Sequence, residues 1–311
     1  MGIHKLYENG SINGWVGTDA VKKYLDENPY LEYKNIIRGQ ARSAAGKKRM
    51  LYDIVRKVLG KDTDNYAQEI GDCTSFGDKN AIEYNTCTGI LLRNQSEKFR
   101  PVYPPWIYGA GRVWVARGMF GRGDGCSGAA VKDACMQYGI LFSDEDGVPK
   151  YSGSVAHQWG ASGPPSQYKD TCSKYKLVSA AKIDNWDDAV NAVADTGAPV
   201  TIASNQGFSY RCDSQGFMAA QGVWGHQMCL IGVDNSYKTP YGIILNSWGD
   251  MFEHMKDFDT GDDLPIGVIR ARAEVIDSML KAGDSWAFTE FDGFPDLSDK
   301  IDKALFDLGG D

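Results

Sequence analysis

The stretch Gln68-Glu69-Ile70-Gly71-Asp72-Cys73-Thr74-Ser75-Phe76 constrains this chain most, because it sets a cysteine where a loop gives way to a helical pattern. A cysteine in the first turn of a helix faces unpaired N–H groups and the positive end of the helix dipole, and both favour thiolate over thiol. His226 lies 153 residues further on in Gly225-His226-Gln227-Met228, and Asn246 lies 173 residues further on in Leu245-Asn246-Ser247-Trp248-Gly249. A thiol, an imidazole and a carboxamide in that order suit acyl transfer, as nucleophile, base and the group that orients the base. A fold that uses them must bring three distant segments to one place.

With 311 residues, 42% of them hydrophobic, the chain is globular and long enough for one large domain or two lobes. A formal charge of -8 argues against general nucleic-acid binding. The first sixty residues are net basic and the last sixty net acidic. These ends read as solvated faces, or as docking surfaces for a protein assembly partner. Seven cysteines include no Cys-x-x-Cys pair, and His157 has no acidic or cysteine partner at ligand spacing, so no metal and no cofactor are expected. The start Met1-Gly2-Ile3-His4-Lys5-Leu6 has no apolar signal segment, Leu6 stands where a myristoylation motif needs Ser or Thr, and no run is long enough to span a membrane. The expectation is a reduced, cytoplasmic protein without a membrane partner.

Helical spacing marks Ala20–Leu25, capped by Thr18 or Asp19 and closed by Asn28-Pro29, and a second helix through Met50, Leu51, Ile54, Val55 and Val58 stopped by Gly60. From Cys73 a helix runs to about Leu92, with Phe76, Tyr84, Cys87 and Leu91 along one stripe; Gly77 inside it points to the close approach of a neighbour. A Gly-rich loop, Gly118–Ala129, leads into the next helix, and Trp186–Ala194 reads as a helix ahead of a strand at Pro199–Ala203. Strands at 227–233 and 241–245 would carry His226 and Asn246 to the same end, with further strands at Gly267–Arg272 and Ser285–Thr289.

At these motifs the chain resembles the papain-like cysteine peptidases, over about residues 66–250. A glutamine precedes a Gly-x-Cys helix start, Gly125-Cys126-Ser127-Gly128-Ala129 is similar to the family's Gly-Cys-x-Gly-Gly loop, a histidine opens an apolar strand, and Asn-Ser-Trp-Gly follows the next. The resemblance implies an α+β fold of two lobes. They are a helical lobe (66–180) whose central helix starts at Cys73, and a β-rich, barrel-like lobe (181–311) with His226, Asn246 and an acidic C-terminal segment. A helical extension (1–65) precedes both.

The resemblance also implies Cys73 as nucleophile, His226 as base, Asn246 as its orienting partner and Trp248 as the shield of that pair. The oxyanion would sit between the Gln68 side-chain amide and the Cys73 N–H, and the backbone at Gly128 and Ala129 would line the substrate cleft. A peptide or protein substrate follows. Secreted members carry an inhibitory prosegment ahead of the nucleophile. Residues 1–65 lack its helical signature and read as a permanent structural extension.

This chain departs from the family pattern at four points. Ile70 replaces the usual disulfide partner of Cys126, Gln68 stands one residue closer to the cysteine, Ala129 replaces a glycine, and Asp72 puts a carboxyl group beside the thiol or caps the helix. Two other functional classes remain open at this stage. One is a structural or assembly protein on the same scaffold, virion-associated for example, and the other is a cell-wall peptide hydrolase or acyltransferase.

Overall fold

The computed structural model describes residues 13–36, 43–94 and 98–292. The acidic stretch after Asp292 and the first twelve residues lie outside them. Helix α1 (Thr18–Glu27) buries Val21 and Tyr24 and ends at Asn28 in extended backbone, the conformation the following Pro29 imposes. Its cap position is Gly17, so neither Thr18 nor Asp19 caps it. The chain then forms two short strands, β1 (Leu31–Glu32) and β2 (Lys48–Met50), and helix α2 (Leu51–Leu59), which Gly60 ends in the left-handed conformation at φ 71.

Helix α3 (Cys73–Leu92) is the centre of the molecule: every residue from Cys73 to Gly89 is buried. The expected single stripe is therefore a helix covered on all sides, and Leu91, assigned to that stripe from its spacing, is exposed instead. Most of the polar side chains inside find a partner nearby. Lys79 Nζ reaches Glu83 Oε2 at 2.8 Å and the Asp64 carbonyl at 3.0 Å, while Glu83 Oε1 accepts the Val102 N–H at 2.9 Å. Thr86 and Thr88 donate back to the carbonyls of Ile82 and Tyr84. At Gly77 a Cβ would meet the Gln227 side chain at 2.8 Å, so the expected close neighbour is there.

On α3 pack helix α4 (Gly128–Gln137) and the segment Pro104–Gly109, which runs on into a wider π turn at Ala110–Val115, and helix α5 (Gly153–Ser162) packs on that segment. Ser127 and Ser152 cap α4 and α5 through their side-chain oxygens.

The remaining chain is mostly sheet. Strands β3 (Lys176–Lys182), β4 (Val200–Cys212), β5 (Met218–Asp234), β6 (Tyr241–Leu245), β7 (Val268–Arg272) and β8 (Trp286–Asp292) join β1 and β2 in an eight-stranded sheet of order β1-β3-β8-β4-β5-β6-β7, with β2 on β5. Every pair but β1–β3 is antiparallel. Helix α6 (Ala273–Leu280) follows β7. The fold is α+β in two lobes, and the N-terminal segment is woven into it: β1 pairs with β3 and β2 with β5. Among the described residues, no helix is long and apolar enough to cross a membrane, and no group of His, Cys, Asp and Glu could hold a metal ion.

The Lys79–Glu83 pair is nearly dry, with side chains 3% and 1% exposed. Lys79→Met leaves a carboxylate buried without its cation, so urea unfolding should report a loss of about 3–5 kcal/mol. Adding Glu83→Gln should recover part of that loss; a single Lys79→Met that unfolds like the parent would refute this account of α3.

Candidate active site

Register in the sheet builds the base. His226 pairs with Ser204 across β4–β5, Cys229 pairs with Leu245 across β5–β6, and Asn246 follows directly after β6. His226 Nε2 and Asn246 Oδ1 are 2.8 Å apart, and the Ser247 N–H donates to the same Oδ1 at 2.6 Å. A backbone N–H identifies that atom as the carboxamide oxygen, so the imidazole carries its proton on Nε2. The lone pair is then on Nδ1, which is buried and has no hydrogen-bond partner among the described residues. Trp248 lies over the ring with centroids 4.7 Å apart, backed by Trp224 and by Phe252 stacked at 9°. Water is thereby kept from the His226–Asn246 bond.

Cys73 begins α3 and is 0% exposed. Backbone N–H groups of Gln227, Gly14 and Thr74 face its sulfur, so the residue after His226 adjoins the thiol, although the imidazole and thiol are not themselves hydrogen-bonded. Gln68 is buried. Its N–H donates to the Ser247 carbonyl at 2.8 Å, its Oε1 accepts the Ser247 hydroxyl, and its Nε2 donates to the Ile70 carbonyl at 2.8 Å. The Gln68 loop is thus tied to the Asn246-Ser247-Trp248 turn. Gly128 and Ala129, expected to line the cleft through their backbone, turn their N–H groups to Asp284 at 2.7 and 2.8 Å. All seven cysteines are unpaired thiols, Cys126 among them, as the Ile70 replacement led one to expect.

No protein-family profile matches the chain, and no curated protein sequence matches it. Solved structures do. Xylellain, a cysteine protease from Xylella fastidiosa, is similar with a TM-score of 0.54 at 16% identity over 78% of this chain and 85% of its own. Digestive procathepsin L 3 of Tenebrio molitor gives 0.55 at 14% identity over 93% and 79%. The proform of Amb a 11, a ragweed pollen cysteine protease, gives 0.52 at 14% identity over 90% and 77%. The chain has the papain-like fold.

One arrangement in this papain-like fold was not legible in the sequence. Residues Asn13–Val16 lie across Cys73 and tie the two lobes together. The N–H groups of Gly14 and Trp15 donate to the Gly225 carbonyl at 3.0 and 2.9 Å. On the other side Cys126 donates to the Gly14 carbonyl at 2.7 Å and accepts from Val16 at 3.2 Å, in a parallel bridge. Gly14 crosses Gly71 so closely that a Cβ on Gly14 would lie 2.0 Å from the Gly71 oxygen. A Cβ on Gly225 would stand 3.1 Å from the Trp15 oxygen. No motif marks Asn13-Gly14-Trp15-Val16, which stand some sixty residues before Cys73.

This cover decides the electrostatics. Burial pushes the Cys73 thiol up to about 12 against the opposing pull of the Gln227, Gly14 and Thr74 N–H groups, and Asp72 pushes the same way as burial. Burial also brings His226 down to about 4, only partly offset by its bond to Asn246. Thiol and imidazole are therefore both neutral beneath the segment, where the sequence led one to expect an ion pair. Asp72 does not cap α3 through its side chain. It is buried, accepts a hydrogen bond from the Tyr151 hydroxyl at 3.1 Å, and burial holds it well above the usual carboxylate range.

Two outcomes follow. Full-chain protein treated with iodoacetamide at pH 5.5 should leave Cys73 unlabelled, whereas Gly14→Val, whose side chain has no room against Gly71, should label there; equal labelling of both proteins would remove the cover. His226, lowered from 6.5 to about 4, binds its proton more weakly folded than unfolded. Its contribution to stability is present above about pH 6.5 and is lost as pH falls toward 4, about 3 kcal/mol in all. Urea midpoints of parent and His226→Gln should converge across that interval. Curves that stay parallel would show that the imidazole is already charged.

Proposed function

We propose that this chain is a cysteine peptidase or amidase that acts through Cys73, His226 and Asn246 and that residues 13–16 hold it closed. One observation carries the reading: the His226 ring, fixed by Asn246 through Nε2, keeps a buried lone pair on Nδ1, one residue from the Gln227 N–H that faces the Cys73 sulfur. A base so oriented beside a thiol at a helix start has one efficient use, which is to take the thiol proton.

When the segment leaves, water and a substrate carbonyl replace it over Cys73. The thiol proton passes to Nδ1, the thiolate attacks the carbonyl carbon, and the carbonyl oxygen becomes an oxyanion. The Cys73 N–H and the Gln68 amide are the donors assigned to it, a task that asks Gln68 Nε2 to turn from Ile70 toward the cleft. The imidazolium gives its proton to the leaving amine, leaving a thioester. His226 then takes a proton from water as hydroxide attacks the thioester carbon, the C–S bond breaks, the Cys73 sulfur takes the proton back from the imidazolium, and the acid product departs. Trp248 keeps the His226–Asn246 bond dry through both steps.

Peptide cleavage assayed with the uncovered Gly14→Val protein tests this. That protein should cut a peptide library faster than the parent, and adding Cys73→Ala should abolish cleavage. Adding His226→Ala should lower kcat/KM by about 10²–10⁴ and Gln68→Ala kcat by about 10²–10³. Cleavage that survives Cys73→Ala would end the proposal.

A further inference from the structure

The pair that crosses Cys73 is chemically unstable in its own right. Asn-Gly occurs twice in the chain, at 9–10, outside the described residues, and at Asn13-Gly14. An asparagine before a glycine deamidates with particular ease, because a nitrogen whose own residue has no Cβ reaches the carboxamide carbon unhindered. Gly14 has to be glycine, since a Cβ there would lie 2.0 Å from the Gly71 oxygen. The feature that lets the segment lie over the thiol thus also makes it reactive.

We propose that Asn13 is a modification site and that its deamidation opens the cover irreversibly. The inference rests on the closed-segment part of the reading above and not on peptide cleavage. The Gly14 nitrogen loses its proton and attacks Asn13 Cγ, the Cγ–Nδ2 bond breaks, and ammonia leaves with that proton, closing a cyclic imide. Water then opens the ring, and nothing is oxidised or reduced. Cleavage at Cγ gives aspartate, and cleavage of the original peptide bond gives isoaspartate, whose chain runs through Cγ.

Isoaspartate adds one C–C bond, about 1.5 Å, to the backbone. The crossing has no slack to take it up. Gly14 is held from both sides, its N–H donating to the Gly225 carbonyl at 3.0 Å and its carbonyl accepting from the Cys126 N–H at 2.7 Å. The Asn13 oxygen is 2.9 Å from where a Cβ on Gly71 would stand. Either product also puts a carboxylate where Asn13 Oδ1 is buried and has no donor among the described residues, a cost relieved by moving the segment into water. While closed, the segment protects itself. The Gly14 N–H is engaged by Gly225 and faces the Cys73 sulfur, so its nitrogen can turn on Asn13 only during an opening.

The test reads charge, mass and alkylation, none of which needs the protein to be an enzyme. Full-chain protein is aged at neutral pH, anion exchange separates the chains that have gained a negative charge, and peptide mapping assigns the change to Asn13 or Asn9. Chains deamidated at Asn13 should take iodoacetamide on Cys73 at pH 5.5 at least about tenfold faster than unmodified chains. Equal labelling of the two fractions, or no change at Asn13 at all, overturns the proposal. Self-protection has its own measurement: Asn13 should deamidate at least about tenfold faster in urea than in the folded chain, and equal rates overturn it. Asn13→Ser, which has no carboxamide to close the ring, should label alike before and after ageing. Labelling that still rises with age shows that another event opens the cover and overturns the assignment to Asn13. A deamidated fraction that labels on Cys73 but cuts no peptide supports the inference and ends the peptidase reading.

Discussion

Burying a polar helix on every side is the constraint from which the rest of this structure follows. Helix α3 places Lys79, Glu83, Asp78 and Asn85 where there is no water, so each needs a partner within the protein. Lys79 and Glu83 serve each other, Gln227 serves Asp78 from β5 at 3.0 Å, and Arg93 donates to Asn85 at 3.0 Å. The Gln227 contact matters most. The same side chain donates to the Thr74 carbonyl at 3.0 Å and presses on Gly77, which fixes the height of β5 against the first turn of α3. Because His226 precedes Gln227, that contact also fixes the base relative to Cys73. The registry of Cys73 and His226 is thus a by-product of satisfying a buried polar helix.

The same shortage of water sets the protonation of the site. A thiol and an imidazole exchange a proton readily only if the charged pair is stabilised by contact or by solvent. Beneath Asn13–Val16 neither is available, since Cys73 and His226 are 0% and 1% exposed and share no hydrogen bond. The neutral pair is the cheaper state there. A four-residue strand therefore blocks access and also removes the dielectric that ionisation needs. It achieves this with very little side chain at the crossing itself, because Gly14 lies directly on Gly71 and only Trp15 reaches outward to Asp284.

Much of this was legible in the sequence. The start of α3, the strand that carries His226, and the turn holding Asn246 and Trp248 are encoded locally, by a helix start and by apolar runs that end in polar residues. The strands came out shorter on paper than in space: β4 and β5 run on to Cys212 and back from Met218, because exposed residues at a hairpin end carry no apolar alternation. The N-terminal segment was read as an appendage, since β1 and β2 are two and three residues long and acquire strand character only by pairing with β3 and β5. The motif at Gly128 and Ala129 gives no hint that Asp284, more than 150 residues away, takes their N–H groups. Long-range partners of this kind have no local signature.

Asp72 illustrates the limit most clearly, because residue type alone gives the sign of its effect on Cys73 and misses its structural role. A carboxylate next to a nucleophilic thiol would oppose thiolate formation by direct repulsion. In place, Asp72 is buried and accepts from Tyr151, whose hydroxyl in turn accepts the Glu69 N–H at 2.8 Å. Burial pushes its carboxyl well above the usual carboxylate range. The Tyr151 ring is itself held by edge contact with Phe76 and by Tyr66, so the hydroxyl has little freedom to leave. The residue that opposes the thiolate is also a hydrogen-bonded brace between the Gln68 loop and α5, whose Gly153 N–H donates to Glu69 Oε2 at 2.7 Å. The loop that carries Gln68 is thereby anchored at its far end. The exclusion of water that pushes the Cys73 thiol up pushes the anchoring carboxyl up with it.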